Sequence, residues 1–181
     1  MTGPAAPRKH FRMPATPPRP QRAILGFIAR FIAGWVVLIA LVAWVPALEQ
    51  WSIRHTVASV ARVAPLFHMS CDPRGANLSL GGTGIAIVPD CTPLMPIAAL
   101  WIAILAFPAS WGWRLIGMAG GAAALWLYNL LRIFLLVPVM RYRPRWFEFI
   151  HVYLWQTVTL LVVFALFMLW LRLQQPAVAR A

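Results

Sequence analysis

The chain has 181 residues, of which 61% are apolar and only 11% charged, with ten Trp and a mean hydropathy of +0.74. A water-soluble domain carries about 25% charged residues, so this composition excludes an ordinary soluble enzyme and predicts an integral membrane protein. The net charge of +12 would suggest nucleic acid in a soluble protein. Here the arginines flank apolar runs, where they set orientation and touch anionic headgroups, so membrane lipid is the expected partner and nucleic acid is not.

Residues 1–22, "MTGPAAPRKHFRMPATPPRPQR", hold six prolines and five basic side chains and offer little to bury. They read as a disordered basic tail. Four apolar runs follow, Ile24 to Leu48, Leu94 to Trp111, Leu115 to Met140 and His151 to Leu171. Each approaches the ~20 residues that a spanning helix needs. The first is too long for the core of a cleaved signal peptide and reads as an uncleaved signal anchor. The expected fold is therefore an all-α integral membrane protein, a bundle of about four transmembrane helices over residues 23–172, with a short tail at 173–181.

Orientation follows from Lys and Arg near the spans. A cytoplasmic N-terminus places eight cationic side chains inside and six outside, and the cluster before the first span decides. Arg141, Arg143 and Arg145 then lie outside, against the rule. Lipid headgroups or an acidic part of a substrate would answer them.

Residues 49–92 form the only sizeable segment outside the membrane. Ile53, Val57, Val60, Ala61, Ala64 and Phe67 repeat with helical spacing, opposite His55, Ser59 and Arg62. That pattern predicts an amphipathic helix on the membrane surface. "ANLSLGGTGIAIV" then reads as a small β-hairpin around Gly81 and Gly82.

Tracing depth through this topology brings three chemical groups to one face. Cys91 stands at the outer mouth of the second span, with Thr92 as the expected N-cap and Pro93 at the first helical position. Arg132 lies eight residues before the outer end of the third span, about 12 Å, close enough to snorkel. An arginine inside a span costs several kcal/mol unless compensated and marks function by default. His151 opens the fourth span. A thiolate is a good nucleophile, a neighbouring imidazole can take and return its proton, and a guanidinium can hold an oxyanion. Cys91, Arg132 and His151 thus form a plausible acyl-transfer set. Asn129, one turn before Arg132, is its expected support. Glu148, one turn before His151, could orient the imidazole or simply favour a helix N-terminus. Asp90 beside the thiol works against the thiolate, unless it caps the helix or pairs with an arginine.

Other readings stay open at this level. Cys71 and Cys91 could form a disulfide, or a redox pair of the thiol–quinone oxidoreductase kind. The chain could also be a non-catalytic membrane scaffold. His10, His55 and His68 read as solvated. No metal-ligand spacing occurs, and no cofactor is expected. Gly117 and Gly121 form a GxxxG pair that marks close helix packing.

"DCTPLMP", "YNLLRIFLL" and "FEFIHVYLWQ", with 41 residues from Cys91 to Arg132 and 19 from Arg132 to His151, resemble the exosortase/archaeosortase family. Within it they are most similar to the short H-type members. The resemblance covers about residues 50–172. It implies a multi-pass enzyme of the bacterial cytoplasmic membrane, with its site at the external face. Such enzymes recognise a C-terminal signal on exported proteins: a short motif, a transmembrane helix and a basic cluster. Cys91 would form a thioester, His151 would act as base and then acid, and Arg132 would stabilise the oxyanion or position substrate. An acceptor nucleophile of unknown identity would release the product. Many members carry Ser or Thr and then Gly after the Cys. Here Thr92 is followed by Pro93, so the small residue that permits close backbone approach is missing.

Overall fold

The computed structural model describes residues 20–178, with side chains from 24 to 174. Of the expected tail 1–22, residues 1–19 lie outside the described residues, while residues 20–22 already belong to the first helix. Helix α1 (Pro20–Trp44) is apolar beyond Arg30. It ends where Pro46 pushes the preceding residue out of the helical region. Val45 takes φ −124° and ψ 71°. Pro46 then opens α2 (Pro46–Val63) at its first position, where its missing N–H costs nothing.

The apolar stripe of α2 is where the sequence placed it, but protein covers it rather than lipid. Ile53, Val57 and Val60 are buried together with Leu78, Leu80 and Ile87 from the following sheet and with Ile133, Phe134 and Val137. Trp126 donates to Ser59 at 3.2 Å, so the face expected to be polar is also partly engaged.

The sheet has three antiparallel strands in the order β1 (Cys71–Arg74), β2 (Asn77–Leu80), β3 (Thr83–Ala86). The expected hairpin is β2–β3. Gly81 and Gly82 both take positive φ, 58° and 80°, as a two-residue turn between twisted strands requires. Strand β1 was not expected, because Pro73 and two charged residues mask it. It is an edge strand, where a proline is tolerated.

Among the described residues, three helices are long and apolar enough to cross a membrane: Ile24–Trp44, Trp111–Tyr142 and Pro144–Gln174. The protein is therefore an α-helical membrane protein. The second expected span is shorter than the sequence suggests. Helix α3 (Leu94–Ala106) has 13 residues, about 20 Å, against a hydrocarbon core of about 30 Å. Phe107 is extended and Pro108 follows, so the helix ends there. Helix α3 packs among its neighbours. It contacts α1, α4 and α6, and its Leu100 and Ile104 are almost fully buried.

Helix α4 (Trp111–Tyr142) has 32 residues, about 48 Å, well beyond the hydrocarbon thickness. Its first half joins a core with α3 and α6 around Leu100, Ile104, Leu125 and Trp170. Its second half joins the core with α2 and the sheet. After a break at Arg143 the chain re-enters helix as α5 (Pro144–Glu148), passes through a π turn (Phe149–Leu154) and continues as α6 (Trp155–Val178). The stretch expected to be a tail from residue 173 is thus helical to Val178.

The GxxxG pair lies in the helix interface. A Cβ on Gly117 would stand 2.5 Å from the Trp170 ring, and one on Gly121 would overlap Leu100. Trp170 is also fixed by its bond to the Trp113 carbonyl at 2.9 Å. Gly117→Ala should lower the thermal midpoint in detergent, a loss of about 1–3 kcal/mol for overpacking. Gly120→Ala, where nothing lies within 4 Å, should leave it unchanged. Equal midpoints for the two variants would contradict this packing.

Candidate active site

Val88 is extended, and Pro89 then starts a single 3-10 turn, Pro89–Cys91. The Cys91 N–H donates to the Val88 carbonyl at 2.8 Å, and the Thr92 N–H to the Pro89 carbonyl at 3.0 Å. The Thr92 hydroxyl donates to that same carbonyl at 2.8 Å. Thr92 therefore closes the turn and does not cap α3, contrary to expectation. Pro93 occupies the cap position and offers no side-chain bond. The physical reason is that the helix starts one residue later than expected, at Leu94, so Thr92 stands outside the cap position and its hydroxyl proton goes back to the Pro89 carbonyl.

Two residues of α4, three apart and so on one helical face, hold this turn. Asn129 Nδ2 donates to the Cys91 carbonyl at 2.9 Å. Arg132 Nη1 donates to the Asp90 carbonyl at 3.3 Å. Asn129 thus supports the turn directly, not Arg132. Arg132 does not snorkel: it is 8% exposed and its side chain turns inward to the turn. Asp90 makes no ion pair with it among the described residues. The only such pair is the exposed Arg74–Asp72, worth little in water.

His151 projects from the π turn. Its Nε2 lies 3.8 Å from Cys91 Sγ, within reach of a thiol proton once substrate tightens the site. Phe147, one turn earlier, stacks on the imidazole at 5.2 Å and 12° and sets its plane. Glu148, the expected orienting carboxylate, is exposed and bonds to no described residue. Sequence reasoning missed Phe147, although its spacing of four from His151 is a helical neighbour spacing.

Cys91 and His151 open onto a groove of about 210 Å³ walled by Ile85–Val88 on one side and by Ile133, Leu136, Met140 and Phe147 on the other. Arg132 belongs to a second cavity, about 230 Å³, between Trp35 of α1, Met95 of α3 and Gln156 and Thr159 of α6. The two cavities share no residue and meet at the turn. The structure thus brings Cys91, Asn129, Arg132, Thr92 and His151 together, while placing the thiol–imidazole pair and the guanidinium on opposite sides of one strand of backbone.

Cys71 stands apart in role. Both cysteines are free, so the considered disulfide is absent. Burial, and then the adjacent Asp72 carboxylate, pushes the Cys71 thiol above its ordinary value, which depletes its thiolate at neutral pH. No group of three or more His, Cys, Asp or Glu among the described residues could hold a metal ion. Arg141 of the outward arginine cluster donates to the Gly81 carbonyl at 3.0 Å and so ties the hairpin tip to α4.

No family model, curated protein or solved structure matches the chain. The resemblance described above therefore rests on the residues of its three motifs.

The raised Cys71 thiol has a direct readout. In the Cys91→Ala protein, iodoacetamide labelling of Cys71 should be slow near neutral pH and rise as pH climbs through its elevated value. Asp72→Asn should speed it, because the like-charge repulsion is gone. Labelling that is fast and flat across neutral pH would contradict the assignment.

Proposed function

We propose that the chain is a membrane-embedded cysteine transpeptidase or peptidase of the exosortase kind. The observation that carries the proposal is the approach of Cys91 Sγ to His151 Nε2 at 3.8 Å, at the floor of an otherwise apolar groove. An apolar wall strengthens each electrostatic interaction inside it.

In this reading His151 takes the thiol proton and Cys91 attacks the carbonyl of the scissile peptide bond. The tetrahedral intermediate collapses, the C–N bond breaks, and His151 returns the proton to the leaving amine. A thioester remains on Cys91. An acceptor amine, or water, then gives a proton to His151 as it attacks, and the thiol is regenerated. Arg132 and Asn129 fix the two carbonyls of the turn and so the direction of the thiol. Arg132 adds a fixed positive charge behind the turn, beside the imidazolium that His151 becomes. The substrate would be an exported protein with a C-terminal motif, apolar span and basic tail. The arginine distribution favours a cytoplasmic N-terminus and a site at the external face of the bacterial inner membrane.

No observation favours the thiol–quinone oxidoreductase, which needs Cys71 and Cys91 as a pair. A scaffold would tolerate loss of each site residue. Cys91→Ala should abolish processing of a co-expressed signal-bearing protein while the variant still accumulates in the membrane. Arg132→Lys, which loses the planar fork of donors, should slow processing by about tenfold or more. Processing that continues in Cys91→Ala, read by mass of the exported protein, would remove the nucleophile from this account.

A further inference from the structure

Strand β3 has a partner on one side only, since the sheet ends with it. Its ladder to β2 uses alternate residues. Ile87 continues it, donating to the Ala76 carbonyl at 2.9 Å, and the register pairs Ile85 with Leu78 and Thr83 with Leu80. The intervening residues, Gly84 and Ala86, therefore turn their N–H and C=O groups away from the sheet. Both are exposed, and no backbone or side-chain hydrogen bond among the described residues uses them. The Val88 N–H also points that way, while the Val88 carbonyl is held by Cys91.

That open edge faces the groove. Four consecutive residues, Ile85 to Val88, line it together with Cys91. Consecutive residues of a strand alternate between faces, so the shared wall is the edge itself. The sheet face at Gly84 is open as well, since a Cβ built there meets nothing within 4 Å. Across the groove α4 runs in the opposite sense, clamped to the sheet side at both ends. Arg141 bonds the Gly81 carbonyl at one end and Arg132 the Asp90 carbonyl at the other.

The geometry points to a peptide-binding mode: the substrate of the proposed reaction adds as an extended strand to the free edge of β3, its backbone pairing with Gly84 and Ala86. This rests on the cysteine transpeptidase reading and names how that site takes its substrate. Unpaired edge N–H and C=O groups are matched by another extended backbone. The groove wall of Ile133, Leu136 and Met140 accepts alternate apolar side chains.

Charge fixes the far end of the occupant. The segment joining Met140 to Phe147, both groove residues, carries Arg141, Arg143 and Arg145, all exposed and without a carboxylate partner among the described residues. Nine helical residues from Arg132 to Arg141 span about 13 Å, roughly four residues of extended peptide. The occupant is thus an apolar strand bearing a carboxylate about four residues from the bond presented to Cys91.

The test uses the full chain in phospholipid vesicles and acetyl-Glu-Val-Ile-Ala chloromethyl ketone, from which the Cys91 thiolate displaces chloride to form a thioether. Iodoacetamide, too small to need the edge, measures the thiol alone. Alkylation at Cys91 is read by mass spectrometry. Methylating the Val and Ala nitrogens in one probe, or the Ile nitrogen in a second, should slow whichever register donates to the edge by about fivefold per lost backbone bond. Changing the probe's Glu to Lys should slow labelling further, and added salt should shrink that difference. Ala86→Pro removes an outward N–H that the β2 ladder does not use, and edge strands accept proline. It should lower peptide labelling while the iodoacetamide rate holds. If both methylated probes label as fast as the parent while iodoacetamide still finds Cys91, edge pairing is wrong and the cysteine reading stands. If iodoacetamide labels Cys91 no faster than it labels a His151→Ala variant, the cysteine reading itself falls.

Discussion

A guanidinium inside an apolar bundle must be satisfied by something, and in this chain it is satisfied by backbone. Arg132 has no carboxylate partner among the described residues. It reaches the Asp90 carbonyl, while Asn129 takes the next carbonyl, that of Cys91. The charge on the donor strengthens such a bond, although at 3.3 Å the Arg132 bond is a long one. Losing it would leave a buried cation uncompensated, at a cost of several kcal/mol. The turn carrying the thiol is therefore fixed from the α4 side by groups that cannot easily move away. The remaining geometry, the 3.8 Å approach of His151 included, depends on that fixity.

Helix α4 makes the arrangement possible because it is longer than a membrane is thick. Its first half is packed by α3 and α6, its second half by α2 and the sheet, and Asn129 and Arg132 lie where the two cores meet. Small residues at Gly117 and Gly121 let Trp170 and Leu100 close on one side. At the other end Arg141 closes onto the hairpin. One rigid rod therefore sets the spacing between the intramembrane bundle and the sheet that walls the groove.

Much of this was legible in the sequence, for identifiable reasons. Long apolar runs report α1, α4 and the last helix, because lipid imposes both composition and length. The glycine pair at 81 and 82 reports the hairpin, because few residues accept two positive φ angles in succession. Periodicity found the buried stripe of α2 but could not say whether lipid or protein would cover it, since both are apolar. The apolar run from Leu94 to Trp111 reads as one segment, whereas the helix within it closes at Ala106 after 13 residues, because hydropathy does not register the extended Phe107. At the site, depth counting brought Cys91, Arg132 and His151 to one level. It could not assign partners: Thr92 turns back to Pro89, Asn129 serves Cys91, and Phe147 rather than Glu148 meets His151. Such choices are made by angstrom-scale directions of side chains, which residue spacing does not encode.

The π turn at Phe149–Leu154 has a consequence for rotational phase. His151 and Trp170 are nineteen residues apart, and an α-helix advances about 100° per residue, so an ideal helix would leave them about 100° out of line. A π turn holds one residue more than an α turn and takes up about that angle. The same helix can then aim Thr159 and Trp170 at α4 and His151 at Cys91 without twisting its axis. The bulge works as a phase shifter, letting bundle packing and imidazole direction be set independently along one continuous rod.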